Sequence, residues 1–250
     1  MTNSVDADPA ELTRARTEAI NLVQWLARIA NSYASDGPLE QRTDLEFRTA
    51  DAAFVTKSFG AGLALEMRLP SLELQFLENG KPMPHTFDPE EHSPTEVEAW
   101  LLVELLHRGV DRDKFSKILP YEIAGLRTGD AEDHSPQSCQ QGLRQLTAWF
   151  QGAAVALETA ARAAAGKNVR ILCSPQTLTL RCASEPAGKQ NDLHFSPGDG
   201  QSPEPYFYTD RAATNGAVRN LRRPILKGST LLAQSDPAAV GRQLLELVSG

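Results

Sequence analysis

Three cysteines, Cys139, Cys173 and Cys182, are all that this 250-residue chain contains. No two of them stand in Cys-x-x-Cys spacing, so neither a zinc ribbon nor a thioredoxin-like redox motif is supported. A small odd number fits a reducing compartment, where a free thiol packs as a small apolar group. No run of about 18 apolar residues occurs, so no membrane span is expected. The first residues include Thr2, Asn3, Ser4, Asp6 and Asp8. That opening has no basic region followed by an apolar run, so no signal peptide is expected. These absences together predict a cytoplasmic protein with no membrane partner. Positive charge is also scarce, with 25 Lys and Arg against 32 Asp and Glu and a net charge of −7. Nucleic-acid binding needs clustered cations to meet phosphates, so no nucleic-acid partner is expected. The one basic cluster, Arg219, Arg222, Arg223 and Lys227, is short and reads as a solvated loop face.

What is present is an ordinary globular composition, 41% hydrophobic and 23% charged. Such a chain can bury a sizeable core, as one large domain or two small lobes. Residues 1–8 read as a disordered tail. Ile20, Val23, Leu26, Ile29, Ala30 and Tyr33 recur at three and four and predict a helix from Pro9 to Ala34, stopped by Asp36-Gly37-Pro38. Residues 44–87 alternate at period two. The turn signal Asn79-Gly80 makes them a small antiparallel meander. Ser93-Pro94-Thr95-Glu96 is a helix start with a capping box. That helix ends at Gly109, and a short helix is expected from Arg112 to Ile118. Pro120 to Asp133 reads as irregular, the best hinge in the chain. Ser135-Pro136 opens a long helix reaching Ala165. Strands follow at 169–173, 177–182, 193–195 and 206–209. Residues 211–230 read as irregular, and Asp236-Pro237 opens a last helix.

Helix followed by strands thus occurs twice. The expected fold is α+β, with two antiparallel strand clusters packed by about five helices. The halves, 9–120 and 135–250 joined by a connector at 121–134, could be pseudo-symmetric lobes or share one continuous sheet.

Familiar chemical signatures fail one by one. Gly-x-Ser-x-Gly is absent. Cys173-Ser174 lies in a strand pattern with no histidine nearby in sequence, so a buried structural thiol is the better reading. Gly60-Ala61-Gly62 and Gly166-Lys167 both lead into strands, so no helix N-terminus awaits a phosphate. No cofactor is predicted. His85, Asp88, Glu90, Glu91 and His92 lie within eight residues and are all cation-binding types. Their place before a helix N-terminus explains the acids equally well. His85, Asp88 and His92 are therefore weak metal candidates. Asp130, Glu132, Asp133 and His134 precede the next helix and have the same plain explanation. His107, late in its helix, would face the last carbonyls.

One stretch stands apart. Residues 193–208 read Leu-His-Phe-Ser-Pro-Gly-Asp-Gly-Gln-Ser-Pro-Glu-Pro-Tyr-Phe-Tyr. Ser196-Pro197-Gly198-Asp199 suits a tight turn. Pro203-Glu204-Pro205 enforces an extended path. Tyr206 and Tyr208 then share one face of a strand and Phe207 takes the other. Structurally this is a stiff loop holding aromatics in a core. Functionally, His194, Asp199, Glu204, Tyr206 and Tyr208 could line a ligand pocket, with the carboxylates as acid–base or metal groups.

The phrase formed by Ser196-Pro197-Gly198-Asp199 and Glu204-Pro205-Tyr206-Phe207-Tyr208 resembles the signature of an uncharacterised family of bacterial proteins. The general order of elements looks similar as well. Such relatives commonly carry aromatic-Pro-His-His-Phe-Asp on the preceding strand. Here Leu172-Cys173-Ser174-Pro175-Gln176-Thr177-Leu178 stands there, without the histidines or the acid. The resemblance implies no known activity. The leading expectation is therefore a protein binding a small molecule near residues 194–208. A metal-dependent hydrolase using Asp199, Glu204 and His194, or the cluster from His85 to His92, is the alternative. A subunit of a larger assembly, such as a homo-oligomer, is the third.

Overall fold

The computed structural model of the chain describes residues 8–33, 42–165, 168–185, 193–200, 202–209, 223–228, 231 and 236–249. The expected tail at 1–7, the stop at Asp36-Gly37-Pro38, and Arg219 and Arg222 lie outside them. The protein is mixed α/β with extensive antiparallel sheet. It divides into two compact units, one of residues 1–147 with 174–176, the other of residues 148–173 with 177–250. Segment 121–134 thus lies inside the first unit.

In the first unit, helix α1 (Pro9–Tyr33) precedes five strands in chain order: β1 (Leu45–Arg48), β2 (Ala53–Val55), β3 (Leu63–Arg68), β4 (Leu74–Glu78) and β5 (Lys81–Pro82). Each pairs antiparallel with the next; Phe47 lies opposite Phe54, Phe54 opposite Met67, and Leu65 opposite Phe76. Asn79 and Gly80 both hold positive φ, 51° and 77°, as a tight hairpin between β4 and β5 demands. Helix α2 (Pro94–His107) begins as its residues predict. Ser93 Oγ accepts from the Glu96 N–H at 3.3 Å, and Glu96 Oε2 accepts from the Ser93 N–H at 2.8 Å. Such a cap is worth about 1 kcal/mol. The short helix expected from Arg112 to Ile118 is a single 3₁₀ turn, Arg112–Lys114, capped by Asp111.

Helix α1 departs most from its sequence pattern. One apolar stripe predicts one wet face, yet every residue from Asn21 to Ala30 is buried. The irregular segment 111–134 covers the polar side and is held by side chains of α1. Tyr33 Oη donates to the Asp111 carbonyl, Arg28 Nε to that of Lys117, and Asn31 Nδ2 to that of Ile118. Tyr121 Oη donates to Gln24 Oε1, and the Arg127 N–H donates to Asn21 Oδ1 at 2.7 Å. Buried side-chain amides and guanidinium groups thus find partners in the backbone of a segment that has no helix or sheet ladder of its own over 115–134.

Helix α3 (Gln140–Ala165) follows a 3₁₀ turn at Pro136–Cys139, so the α-helix starts later than Ser135-Pro136 suggests. Ser135 makes no side-chain cap. The free N–H groups are met from a distance instead: Glu90 Oε2 accepts from Gln137, and Glu11 Oε1 from Gln141 and Gly142. Gly142 lets α3 approach α1 closely, because a Cβ there would lie 2.9 Å from Ala15 Cβ.

The second unit contains strands β6 (Asn168–Ser174), β7 (Thr179–Glu185), β8 (Leu193–Ser196), β9 (Tyr206–Thr209) and β10 (Arg223–Lys227), neighbours in that order, and helix α4 (Pro237–Ser249). Strand β10 corrects the irregular reading of 211–230. Pro224 sits at a register shift on the outermost strand, where a missing N–H is tolerated. Four α-helices stand among the described residues, against about five expected. The core of this unit stacks Phe150 of α3 edge-on against Phe195 at 5.7 Å, and Phe195 beside Phe207 at 5.3 Å.

Candidate functional site

The signature segment folds back on itself. Strands β8 and β9 pair so that His194 faces Tyr208 and Ser196 faces Tyr206. The His194 and Tyr208 rings stack at 5.0 Å and 16°, and Tyr206 lies 5.6 Å from Tyr208. Asp199 closes the loop between the strands. Its Oδ1 accepts from the Ser202 N–H at 2.9 Å and its Oδ2 from Tyr206 Oη at 2.6 Å, while its own N–H donates to the Ser202 carbonyl. Tyr206 and Tyr208 are buried. Glu204 turns outward, 3.6 Å from Lys227 in an exposed pair. Asp199 and Tyr206 are thus joined, His194 and Tyr208 are joined, and Glu204 engages a different strand.

The candidates from His85 to His92 separate in the same way. His85, at φ 71°, places Nδ1 3.4 Å from Glu104 Oε1 on α2. Asp88 Oδ1 accepts from the Glu90 N–H, Glu90 caps the start of the 136–139 turn, and His92 Nδ1 bonds the Glu90 carbonyl. Among the described residues, no group of three or more His, Cys, Asp or Glu is placed to hold a metal ion.

A buried ionic cluster lies under the 111–134 segment. Glu18 Oε1 accepts from Arg127 Nη1 at 2.6 Å, and Glu18 Oε2 lies 3.3 Å from His134 Nδ1. Arg127 also meets Glu132 at 2.9 Å. Burial pushes the Glu18 pKa up, but hydrogen bonds from His134 and Arg127 outweigh it and hold the carboxyl below its ordinary value. Burial likewise lowers the Arg127 pKa, and Glu18 reverses this to a net rise. Cys139 is pushed up to about 11, by burial first and then by the Glu18 charge. Such a thiol is inert at neutral pH. The sequence separation of 116 between Glu18 and His134 hides this cluster from any local pattern.

The first unit holds a cleft of about 440 Å³. It lies between the end of α1, the β2–β3 connection and the turn after α2. Ser32 and Tyr33, then Phe59 to Ala61 with Leu63, then Arg108 to Asp111 with Lys114 line it. Tyr33 and Phe59 stack on one another at 5.1 Å and 17°. Burial, and then the Asp111 charge, raise the Tyr33 pKa, so the hydroxyl keeps its proton and donates to the Asp111 carbonyl at 3.0 Å. Arg108 is already engaged with its neighbours. Its Nη1 donates to the Glu104 carbonyl at 2.8 Å and pairs with the Glu104 carboxylate, Nε reaches Met83 Sδ, and Cζ sits 4.6 Å over the Phe76 ring. Tyr33 and Phe59 are visible in the sequence only as members of an apolar stripe and a strand. Arg108 and Lys114 carry no sequence signal at all.

No protein-family model, no curated protein and no solved structure matches this chain. Among the described residues, no helix is long and apolar enough to cross a membrane.

Proposed function

We propose that the chain binds a small organic molecule without transforming it, and that the ligand occupies the cleft of the first unit. The observation that carries this reading is the cleft itself. Its volume of about 440 Å³ lies within the usual range for ligand sites. Its lining combines apolar side chains, Phe59, Leu63 and Val110 among them, with a few polar groups, the pattern that gives affinity and orientation together. The 194–208 loop, the first choice from sequence, supports the reading less, because Asp199 already bonds Tyr206 and Ser202.

A thermal-shift screen of a metabolite and fragment set, run on the wild type and on Phe59→Leu, tests the proposal. Hits that stabilise the wild type and fail on the variant are expected. Hits that fail on Tyr206→Phe and persist on Phe59→Leu would move the site to the signature loop. The metal-dependent hydrolase remains the rival, and elemental analysis of the purified protein tests it: stoichiometric bound metal would favour it. Self-association would draw on the exposed Val103 and Leu106, one turn apart on α2, and light scattering reports it.

A further inference from the structure

We propose that residues 111–133 form a releasable strap, which lifts from helix α1 as a unit while the rest of the first unit stays folded, with the Arg127–Glu18 pair as its latch.

Register is the first ground. Glu18, Asn21, Gln24, Arg28 and Asn31 recur at three and four and share one face of α1. The strap runs antiparallel along that face. Its tethers go from Tyr33 with Asp111, through Gln24 with Tyr121, to Glu18 with Arg127.

Burial is the second ground. None of residues 111–133 is buried, and after the turn at Arg112–Lys114 they have no helix or sheet ladder. Phe115, Leu119, Ile123 and Leu126 are only half-buried, and Ile118 is exposed. Such segments open at the low end of a protein's range of local stabilities. The groups beneath the tethers are polar: Asn21, Gln24 and Arg28 are buried there. Water can take over each hydrogen bond that opening removes, which keeps the net loss per bond small.

Charge is the third ground. Desolvation lowers the Arg28 pKa more than the Glu98 charge raises it, so the closed strap holds a cation where burial disfavours its charge. The latch works against this, with Arg127 Nη1 2.6 Å from the buried Glu18 Oε1. Two further tethers, from Lys117 to Glu98 at 3.1 Å and from Ser93 to Asp130 at 2.9 Å, break in the same opening.

Both roots of the strap are defined. His134 exchanges backbone bonds with Glu91 and His92. Gly109 holds φ 66° with open space around its Cα, where the chain can swing without a side chain in the way. Asp111 and Lys114 line the cleft, so each opening takes down one of its walls.

Native-state hydrogen exchange of the full chain, followed by NMR, tests the proposal at two amides that α1 side chains hold. The Ser116 N–H donates to Ser32 Oγ at 2.8 Å and the Arg127 N–H to Asn21 Oδ1 at 2.7 Å. Lifting as a unit gives both amides the same protection, at least about ten-fold below that of α1 amides from Leu22 to Ile29. Glu18→Gln breaks the latch and is expected to speed exchange about ten-fold, at Ser116 as much as at Arg127. Tyr33→Phe, at the opposite end, is expected to speed both about five-fold, the effect of one hydrogen bond. Circular dichroism checks that Glu18→Gln folds; if it does not, Tyr33→Phe alone decides. Protection of Ser116 and Arg127 equal to that of α1 would overturn the strap. Acceleration confined to the amide nearer the substitution would overturn it as well. No ligand is used, so either failure leaves the ligand-binding reading standing, and a failed ligand screen leaves the strap standing.

Discussion

The 194–208 segment and the cleft of the first unit each gather polar and aromatic side chains, but they differ in what those side chains have left to offer. In the segment, Asp199 accepts from Tyr206 and Ser202, His194 stacks on Tyr208, and Glu204 meets Lys227. Its chemistry is turned inward to hold a loop. In the cleft, Arg108 keeps Nη2 without a partner among the described residues, near the stacked Tyr33 and Phe59 rings. On the proposed reading, a run dense in acids, imidazole and tyrosines in sequence is not the better site. The better site is where donors remain after folding has satisfied the rest.

The comparison can be broken at several points. The largest effect is expected at Glu18, another inward-turned group. Glu18→Ala leaves Arg127 and His134 without their buried carboxylate and is expected to cost about 3 kcal/mol in urea unfolding at neutral pH. The native carboxyl has a depressed pKa, so its contribution is complete above the ordinary carboxylate range and is lost as pH falls through the lower folded value. Stability of the wild type should therefore fall more steeply with acid than that of Glu18→Gln. Equal slopes would show that the cluster does not favour the ionised form.

Next comes Tyr206→Phe, which removes a 2.6 Å bond to Asp199. A loss of about 2 kcal/mol is expected by denaturant melt, as for a hydrogen bond to a charged group. Unchanged stability would mean the bond does not tie the loop. Gly142→Ala is smaller. A Cβ would press on Ala15 and the Glu11 carbonyl, and about 1–2 kcal/mol of overpacking should appear in the same melt. The smallest effect is none: Cys139 and Cys182, pushed up to about 11 and about 12 by burial, should not react with a thiol reagent at pH 8 while the protein is folded. Rapid labelling there would contradict their burial.

Local patterns carried much of the fold. Ser93 and Glu96 announced a capping box, Asn79-Gly80 a hairpin, and Tyr206, Phe207 and Tyr208 the two faces of a strand. Each lies within a few residues of its partner, where backbone geometry leaves a residue-type signature. The cap of α3 by Glu11, the burial of α1 under residues 111–134 and the Glu18 cluster join groups about 80 to 130 residues apart. Such pairings have no period and no spacing. The cleft was illegible for the same reason: its walls come from a helix end, a strand turn and a helix cap that meet only in the fold.

The central claim, that ligand binding resides in the cleft and not in the signature loop, is tested most directly by ligand-induced melting shifts in two variants. With a ligand found on the wild type, Phe59→Leu should lose the shift. Tyr206→Phe should melt lower without ligand yet gain the wild-type shift when ligand is added. The reverse, a shift that survives Phe59→Leu and vanishes in Tyr206→Phe, would contradict the account.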